Sequence, residues 1–264
     1  MSPQNNKSYI RLNPRDLIIF DYLLERKVAT IYQIINHLNL SSQRNHLNSR
    51  LHQLVQNRYL NSYWTPLGKK AFCLGKEAIQ FLHKSDKIAK NYPETFLGWN
   101  KQQDEHDLLL NDIYQTLKSI EIVQDLKTHN LLSSKIEDWT KPFNLPDATF
   151  NFKNAIDDRY WALELELNLK TQDRYTKIFR HYYYNDNVAG VLYLVKNDSD
   201  VSTLENIDRK FKLSKKSIIY ISKVSDFIKE PIRTKFLSSD QKSFSFHWKL
   251  SQKEELFHKK QIGQ

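Results

Sequence analysis

The chain is 264 residues long, 40% apolar, and carries 40 Lys and Arg against 30 Asp and Glu, a formal net charge of +10. That length predicts two domains, and the positive excess predicts a polyanionic partner, nucleic acid before anionic membrane. A single cysteine, Cys73, excludes a disulfide framework and a cysteine-based zinc site and fits a reducing compartment.

The opening Met-Ser-Pro-Gln-Asn-Asn-Lys lacks the apolar centre of a signal peptide. No apolar run approaches the ~18 residues that span a bilayer. The expectation is a soluble, cytoplasmic chain with no membrane partner. The five glycines stand at 68, 75, 98, 190 and 263, never clustered. A phosphate-cradling loop, a dinucleotide fingerprint and a Gly-x-Ser-x-Gly elbow all need clustered glycines. No His-x-His or His-Glu-x-x-His pair occurs either. Kinase, dehydrogenase, serine hydrolase and zincin chemistry are thereby excluded.

In chain order, Asn13-Pro14-Arg15-Asp16 predicts a helix start, with Asn as N-cap, Pro at the first position and Asp in the first turn. Leu17, Phe20 and Leu24 mark its buried stripe as far as Arg26. Thr30 to Gln33 is a capping box opening a second helix, 31–38. Ser41 and Ser42 are placed to cap a third, 43–56, whose Leu47, Leu51, Leu54 and Val55 form one apolar stripe. The opposite face holds Asn45, His46, Ser49, His52, Gln53 and Gln56, flanked by Arg44 and Arg50, and contains no acid. Two short strands around Gly68-Lys69-Lys70 and a helix over 76–82 follow. Three helices and a basic hairpin are the layout of a winged helix. Its third helix would enter the major groove and its Lys69 and Lys70 wing would meet the backbone or minor groove. A winged helix used only for protein contacts is the alternative; the amide-rich, carboxylate-free face favours DNA.

Residues 84–100 are polar and include Pro93 and Gly98, which predicts a linker. The division is therefore 1–90 for the first domain, 91–103 for the linker and 104–264 for the second domain. A helix over 104–117 follows, with His106 and Asp112 as weak site candidates, then a strand at 120–123.

From Trp161 to Leu169 apolar and polar residues alternate strictly, the period of a strand. Glu164 and Glu166 share one face, roughly 6.6 Å apart along the strand. Pro146-Asp147 opens another alternating run, 148–152. Adjacent strands carrying Asp147, Glu164, Glu166 and Lys170 make an acidic pocket with a cation at its rim, suited to a divalent metal that activates water. The competing reading is a solvated strand face preceded by an ordinary Pro-Asp turn. A helix over 171–185 places Arg174, Lys177 and His181 on one face. The apolar runs 188–195 and 217–221, separated by a helix over 203–213, read as strands covered on both sides. The fold class is α+β, with a mixed central sheet and helices on both faces in the second domain. The Lys-rich tail from Lys249 reads as a helix or as disordered.

A helix, Pro-Asp on a second strand, Glu-x-Glu on a third, a basic helix and a fourth strand together resemble the PD-(D/E)xK nuclease superfamily. With a winged helix ahead of it, the run Glu164-Leu-Glu166-Leu-Asn-Leu-Lys170-Thr-x-x-Arg174-Tyr175 resembles the replication-relaxation family, and within it the MobC-type relaxases of mobilisable plasmids. The likeness covers residues 10 to about 225. It implies an N-terminal winged helix-turn-helix and a restriction-endonuclease-like α/β domain. It also implies Mg²⁺ or Mn²⁺ held by Asp147, Glu164 and Glu166, and cleavage of one strand of double-stranded DNA at a plasmid transfer origin. Arg44, Asn45, His46, Ser49, Arg50, Gln53, Lys69, Lys70, Arg174 and Lys177 would hold the DNA. Further implied partners are the displaced single strand and other mobilisation proteins such as a coupling protein.

The superfamily lysine stands two residues after Glu164, where this chain has Glu166. The role passes to Lys170, about 13 Å along an ideal strand, or to Lys177. Attack by a tyrosine is a variant of the chemistry, with Tyr182, Tyr183 and Tyr184 as candidates. The alternatives are another metal nuclease, of transposon or restriction type, and a DNA-binding regulator with an inactive nuclease-like domain.

Overall fold

The computed structural model describes residues 10–88, 101–129, 145–153, 158–211 and 216–247. Most of the expected linker and the Lys-rich tail lie outside these residues. The chain is α+β, and its contacts divide it into two compact units that part between Asn111 and Asp112.

In the first unit, helix α1 (Pro14–Arg26) starts where the sequence places it. Asn13 Oδ1 accepts from Asp16 N at 3.1 Å, and Asp16 Oδ2 accepts from Asn13 N at 2.8 Å. Strand β1 (Ala29–Thr30) leads into α2 (Ile31–Leu38), closed by the reciprocal Thr30 and Gln33 bonds of a capping box. Helix α3 (Arg44–Gln56) differs at its start. A 3₁₀ turn at Ser41–Gln43 winds directly into it, so the N-cap falls on Gln43 rather than on a serine, and Gln43 makes no side-chain cap bond. Leu47, Leu51 and Leu54 are fully buried against Ile19, Phe20, Leu23, Ile34 and Phe72. At about 1.5–3 kcal/mol for each such side chain, this seam outweighs the missing cap.

Strands β2 (Leu60–Trp64) and β3 (Lys70–Leu74) form an antiparallel hairpin, and β1 adds to the other edge of β3. Helix α4 (Lys76–Lys84) follows Gly75, where a Cβ would stand 2.3 Å from the Arg58 carbonyl oxygen. Only glycine fits so close to that backbone. Helix α5 (Lys101–Ser119) contributes its first half to this unit: Asp107 pairs with Lys27 at 2.7 Å, and the Leu108 carbonyl accepts from Gln33 Nε2 at 2.9 Å.

The second unit is built on a seven-stranded mixed sheet, in the order β10-β9-β8-β7-β6-β5-β4. Its elements are β4 (Val123–Thr128), β5 (Ala148–Phe152), β6 (Tyr160–Glu166), α6 (Gln172–Tyr183), β7 (Val188–Val195), α7 (Asp198–Phe211), β8 (Ile219–Lys223), α8 (Val224–Lys229), β9 (Phe236–Leu237) and β10 (Ser243–Phe244). Strands β4, β5 and β6 form an antiparallel meander, and β6, β7 and β8 run parallel. Helices α6 and α7 cover one face, with Tyr175, Phe179, Tyr182 and Leu204 packed on Ala162, Val191, Tyr193 and Ile221. An aromatic cluster lies on the other, where Phe150, Phe152, Trp161, Phe244 and Phe246 meet Phe227 of α8. Gly190 is required there, because a Cβ would come within 2.6 Å of the Trp161 ring.

Two strands depart from expectation. The first of this unit runs from Val123 rather than over 120–123; a register shift between Gln124 and Lys127, with Asp125 left-handed at φ 52°, carries it on to Thr128. Strand β6 stops at Glu166 instead of continuing to Leu169. Its second face is not solvated, since Glu166 is only 4% exposed.

A buried polar network ties α7 to α6, to the segment before β8 and to the turn after β9. Asp208, fully buried, accepts hydrogen bonds from Tyr183 (2.6 Å), Ser217 (2.7 Å) and Ser239 (2.5 Å).

Candidate functional site

In the second unit the carboxylates follow from strand register. Ala148 stands opposite Leu163 in the antiparallel β5–β6 ladder, which sets Asp147, at the entrance to β5, beside Glu164. Asp147 is held from three sides. Its Oδ2 accepts from Leu165 N at 2.8 Å, and its carbonyl accepts from the Tyr114 hydroxyl at 2.5 Å and from His129 N at 2.8 Å. Glu164 accepts a short hydrogen bond from the Tyr182 hydroxyl. Glu166 forms a close ion pair with Lys170.

The early end of β6 makes that last contact possible. With the chain turning after Glu166, Lys170 returns to the carboxylate instead of standing about 13 Å up a straight strand. Burial draws the Lys170 pKa below its ordinary value, opposed by the fields of Glu164 and Asp147 and assisted by Arg174. The same two carboxylates act on Tyr182 and Tyr193. Burial first, then the Glu164 charge, pushes both hydroxyls well above the usual tyrosine range. Tyr193 pairs with Glu164 across the parallel β6–β7 ladder, and its fully buried hydroxyl has no hydrogen-bond partner among the described residues.

Sequence reasoning therefore names four residues, Asp147, Glu164, Glu166 and Lys170, that the fold gathers at one end of β5 and β6. The three carboxylates do not meet at a single point: among the described residues no group of three His, Cys, Asp or Glu stands as a metal cage. Glu166 turns instead to Lys170. Of the tyrosine candidates, Tyr182 is 1% exposed and donates to Glu164, Tyr183 donates to Asp208, and Tyr184 is 70% exposed. His106 contacts Asp107 inside the first unit. Asp112 lies exposed on α5, at the start of the second.

Arg174 is exposed near Lys170, at the start of α6. Lys177 lies one turn further along that helix and lines an open cavity of about 610 Å³ with Arg180, His181 and Tyr184. Sequence reasoning leaves Arg180 unmarked and names Tyr184 only as a candidate nucleophile, although 177, 180, 181 and 184 have the spacing of one helix face.

In the first unit Arg44, Asn45, His46, Ser49 and Gln53 are exposed along α3, and Lys69 is exposed at the hairpin turn. Arg44, Asn45 and Asn48 of α3 line one cavity of about 260 Å³ with Ile31, Lys70 and Phe72. Arg44 stacks its guanidinium 4.6 Å from the Tyr32 ring centre. Neither Asn48 nor Tyr32 was singled out by sequence. Arg50 is engaged within the unit. It clasps the buried Asp16 with Nε at 3.0 Å and Nη2 at 2.5 Å, and Nη2 also donates to the Arg11 carbonyl. The acid-free stretch is longer than helix α3. From Arg26 to Lys76 there is no Asp or Glu, while Arg26, Lys27, Arg44, Arg50, Arg58, Lys69, Lys70 and Lys76 are cationic.

No family model, curated protein or solved structure matches the chain. Among the described residues no helix is long and apolar enough to cross a membrane.

Proposed function

We propose that this chain binds duplex DNA with its first unit and nicks one strand with its second, as a divalent-metal-dependent relaxase acting at a plasmid transfer origin. One observation carries the cutting role: Asp147, one residue beyond the Ala148–Leu163 pair of the β5–β6 ladder, is bonded to Leu165 N, and its field and that of Glu164 both act on Lys170, which pairs with Glu166. The element order supports it. Helix α5, then Pro146-Asp147 at the second strand, Glu164-x-Glu166 on the third, basic α6 and then β7 follow the sequence of parts in the PD-(D/E)xK resemblance. Helices α1 to α3 with the β2–β3 hairpin follow that of a winged helix.

The donor set suits Mg²⁺ or Mn²⁺, which take carboxylate oxygens. The orphaned Tyr193 hydroxyl beside Glu164 marks a polar atom in need of a partner there. Asp147 and Glu164 would hold the ion, with Glu166 joining them on release from Lys170. When bound, such a metal polarises a phosphoryl oxygen and lowers the pKa of attacking water. Lys170 supplies positive charge at the rim, against the charge that builds on the phosphate. Tyr182 holds Glu164 in place as a hydrogen-bond donor. Its burial and raised pKa favour hydrolysis over tyrosine attack.

A binding-only regulator is the second reading, favoured by the engagement of Glu164 with Tyr182 and of Glu166 with Lys170. Incubating the chain with supercoiled plasmids and Mg²⁺ or Mn²⁺ separates the outcomes. Open circles from one plasmid are expected; linear product from many plasmids would indicate a general nuclease, and unchanged supercoils the regulator.

On the binding side, Arg44→Ala is expected to weaken duplex affinity and to lower the slope of log affinity against log salt by about 1, for one lost phosphate contact. Fluorescence anisotropy across a salt series measures both. An unchanged slope would remove Arg44 from the interface.

A further inference from the structure

Two large apolar side chains stand in solvent on the basic hairpin: Trp64, 69% exposed at the end of β2, and Leu67, 61% exposed in the turn. Exposed apolar groups of this size at a protein's tip point to something they enter. The turn that carries Leu67 is closed by hydrogen bonds. Thr65 N donates to the Lys69 carbonyl at 2.9 Å, Gly68 N to the Thr65 carbonyl at 2.9 Å, and Lys69 N to Thr65 Oγ1 at 3.1 Å. Gly68 takes the left-handed φ of +68° that the turn needs, and Pro66 fixes its own φ. A tip already ordered loses little conformational entropy when it inserts.

The surroundings select the occupant. Lys69 and Lys70 flank the tip, and Lys70 also lines the α3 cavity with Arg44 and Asn45. The hairpin lies within the long stretch without a single acid. Positive charge around an apolar point is complementary to a polyanion with a stacked apolar interior, which is duplex nucleic acid. An acidic protein surface would satisfy the lysines but offers no slot for Trp64 and Leu67.

We infer that the β2–β3 tip is a wedge that enters the minor groove of duplex DNA and unstacks a base step, kinking the duplex while Lys69 and Lys70 hold the phosphates on either side. Minor-groove proteins that insert apolar side chains between base steps bend DNA in this way. The step it opens most easily is a flexible pyrimidine–purine step such as TA. This inference rests on the DNA-binding reading above and adds to it a distortion of the substrate.

The test is the end-to-end distance of a dye-labelled, TA-rich duplex of roughly 30 base pairs, read by energy transfer at low salt with the full chain. The wild type is expected to bend it by about 20–90°. Leu67→Ser and Trp64→Ser, both at exposed positions, are expected to bind within about fivefold of wild type and to leave the bound duplex straight. Lys69→Ala should do the reverse, with weaker binding and a lower salt slope but an undiminished bend in the complex. A straight duplex in the wild-type complex, or full bending by both serine variants, would overturn the wedge and leave DNA binding intact. No binding of this duplex by the wild type at low salt would overturn both.

Discussion

Replacing Asp147 is expected to abolish strand cutting while leaving duplex affinity within about twofold of wild type. The reason lies in where the carboxylate stands: beside Glu164 in register, with one oxygen fixed by Leu165 N and its own carbonyl pinned by Tyr114 and His129. Asp147 would help hold the cation that stabilises charge at the reacting phosphate, and losing that stabilisation costs about 100-fold or more in rate. Asp147→Ala alone would be ambiguous, because it also deletes the hydrogen bond from Leu165 N, and losing a hydrogen bond to a charged group costs about 1.5–3 kcal/mol. Asp147→Asn resolves this. It keeps an oxygen to accept from Leu165 N and removes the negative charge, so it should melt near the wild-type temperature and still fail to nick. A nicking rate for Asp147→Asn within tenfold of wild type would place the chemistry elsewhere.

The second large effect concerns stability. Asp208 is fully buried, and three hydroxyls converge on its carboxylate from Tyr183, Ser217 and Ser239. Charge-assisted hydrogen bonds of this kind are roughly twice as strong as neutral ones, and here they offset the cost of burying the charge. Asp208→Ala deletes the shared acceptor. Ser217 Oγ still reaches the Ile219 carbonyl and Tyr183 still reaches Ser217 Oγ, but three hydrogen bonds to one carboxylate are lost at about 1.5–3 kcal/mol each, so even with relaxation the loss should be about 3 kcal/mol or more. Chemical denaturation followed by tyrosine and tryptophan fluorescence should show a lower midpoint at nearly constant slope. A change under about 1 kcal/mol would mean that water replaces the carboxylate.

What was legible in the sequence was local. The caps at Asn13 and Thr30 and the Leu47, Leu51, Leu54 seam are written in residues a few positions apart, and the folded chain keeps them. The four residues of the acidic cluster were also readable, since strand alternation places Glu164 and Glu166 on one face. That this face is covered by α6 was not readable, because burial there depends on a helix that packs from the following crossover. The first strand of the second unit was misplaced since the left-handed Asp125 shifts its register and breaks the alternation. The Asp208 network left no trace at all: its three hydroxyls stand 9 to 31 positions from Asp208, with no periodic signal.

The clasp between Arg50 and Asp16 bears on how any alanine survey along α3 would be interpreted. Asp16 serves two masters, closing the cap of α1 while anchoring a residue of the neighbouring helix. Cutting Arg50 back leaves an interior anion without its counter-ion, and the entry to α1 loosens along with its neighbour. Position 50 would then score as a hot spot for DNA although its guanidinium is engaged by Asp16. A melting curve for that variant, taken beside the binding isotherm, tells a lost handhold from a weakened scaffold.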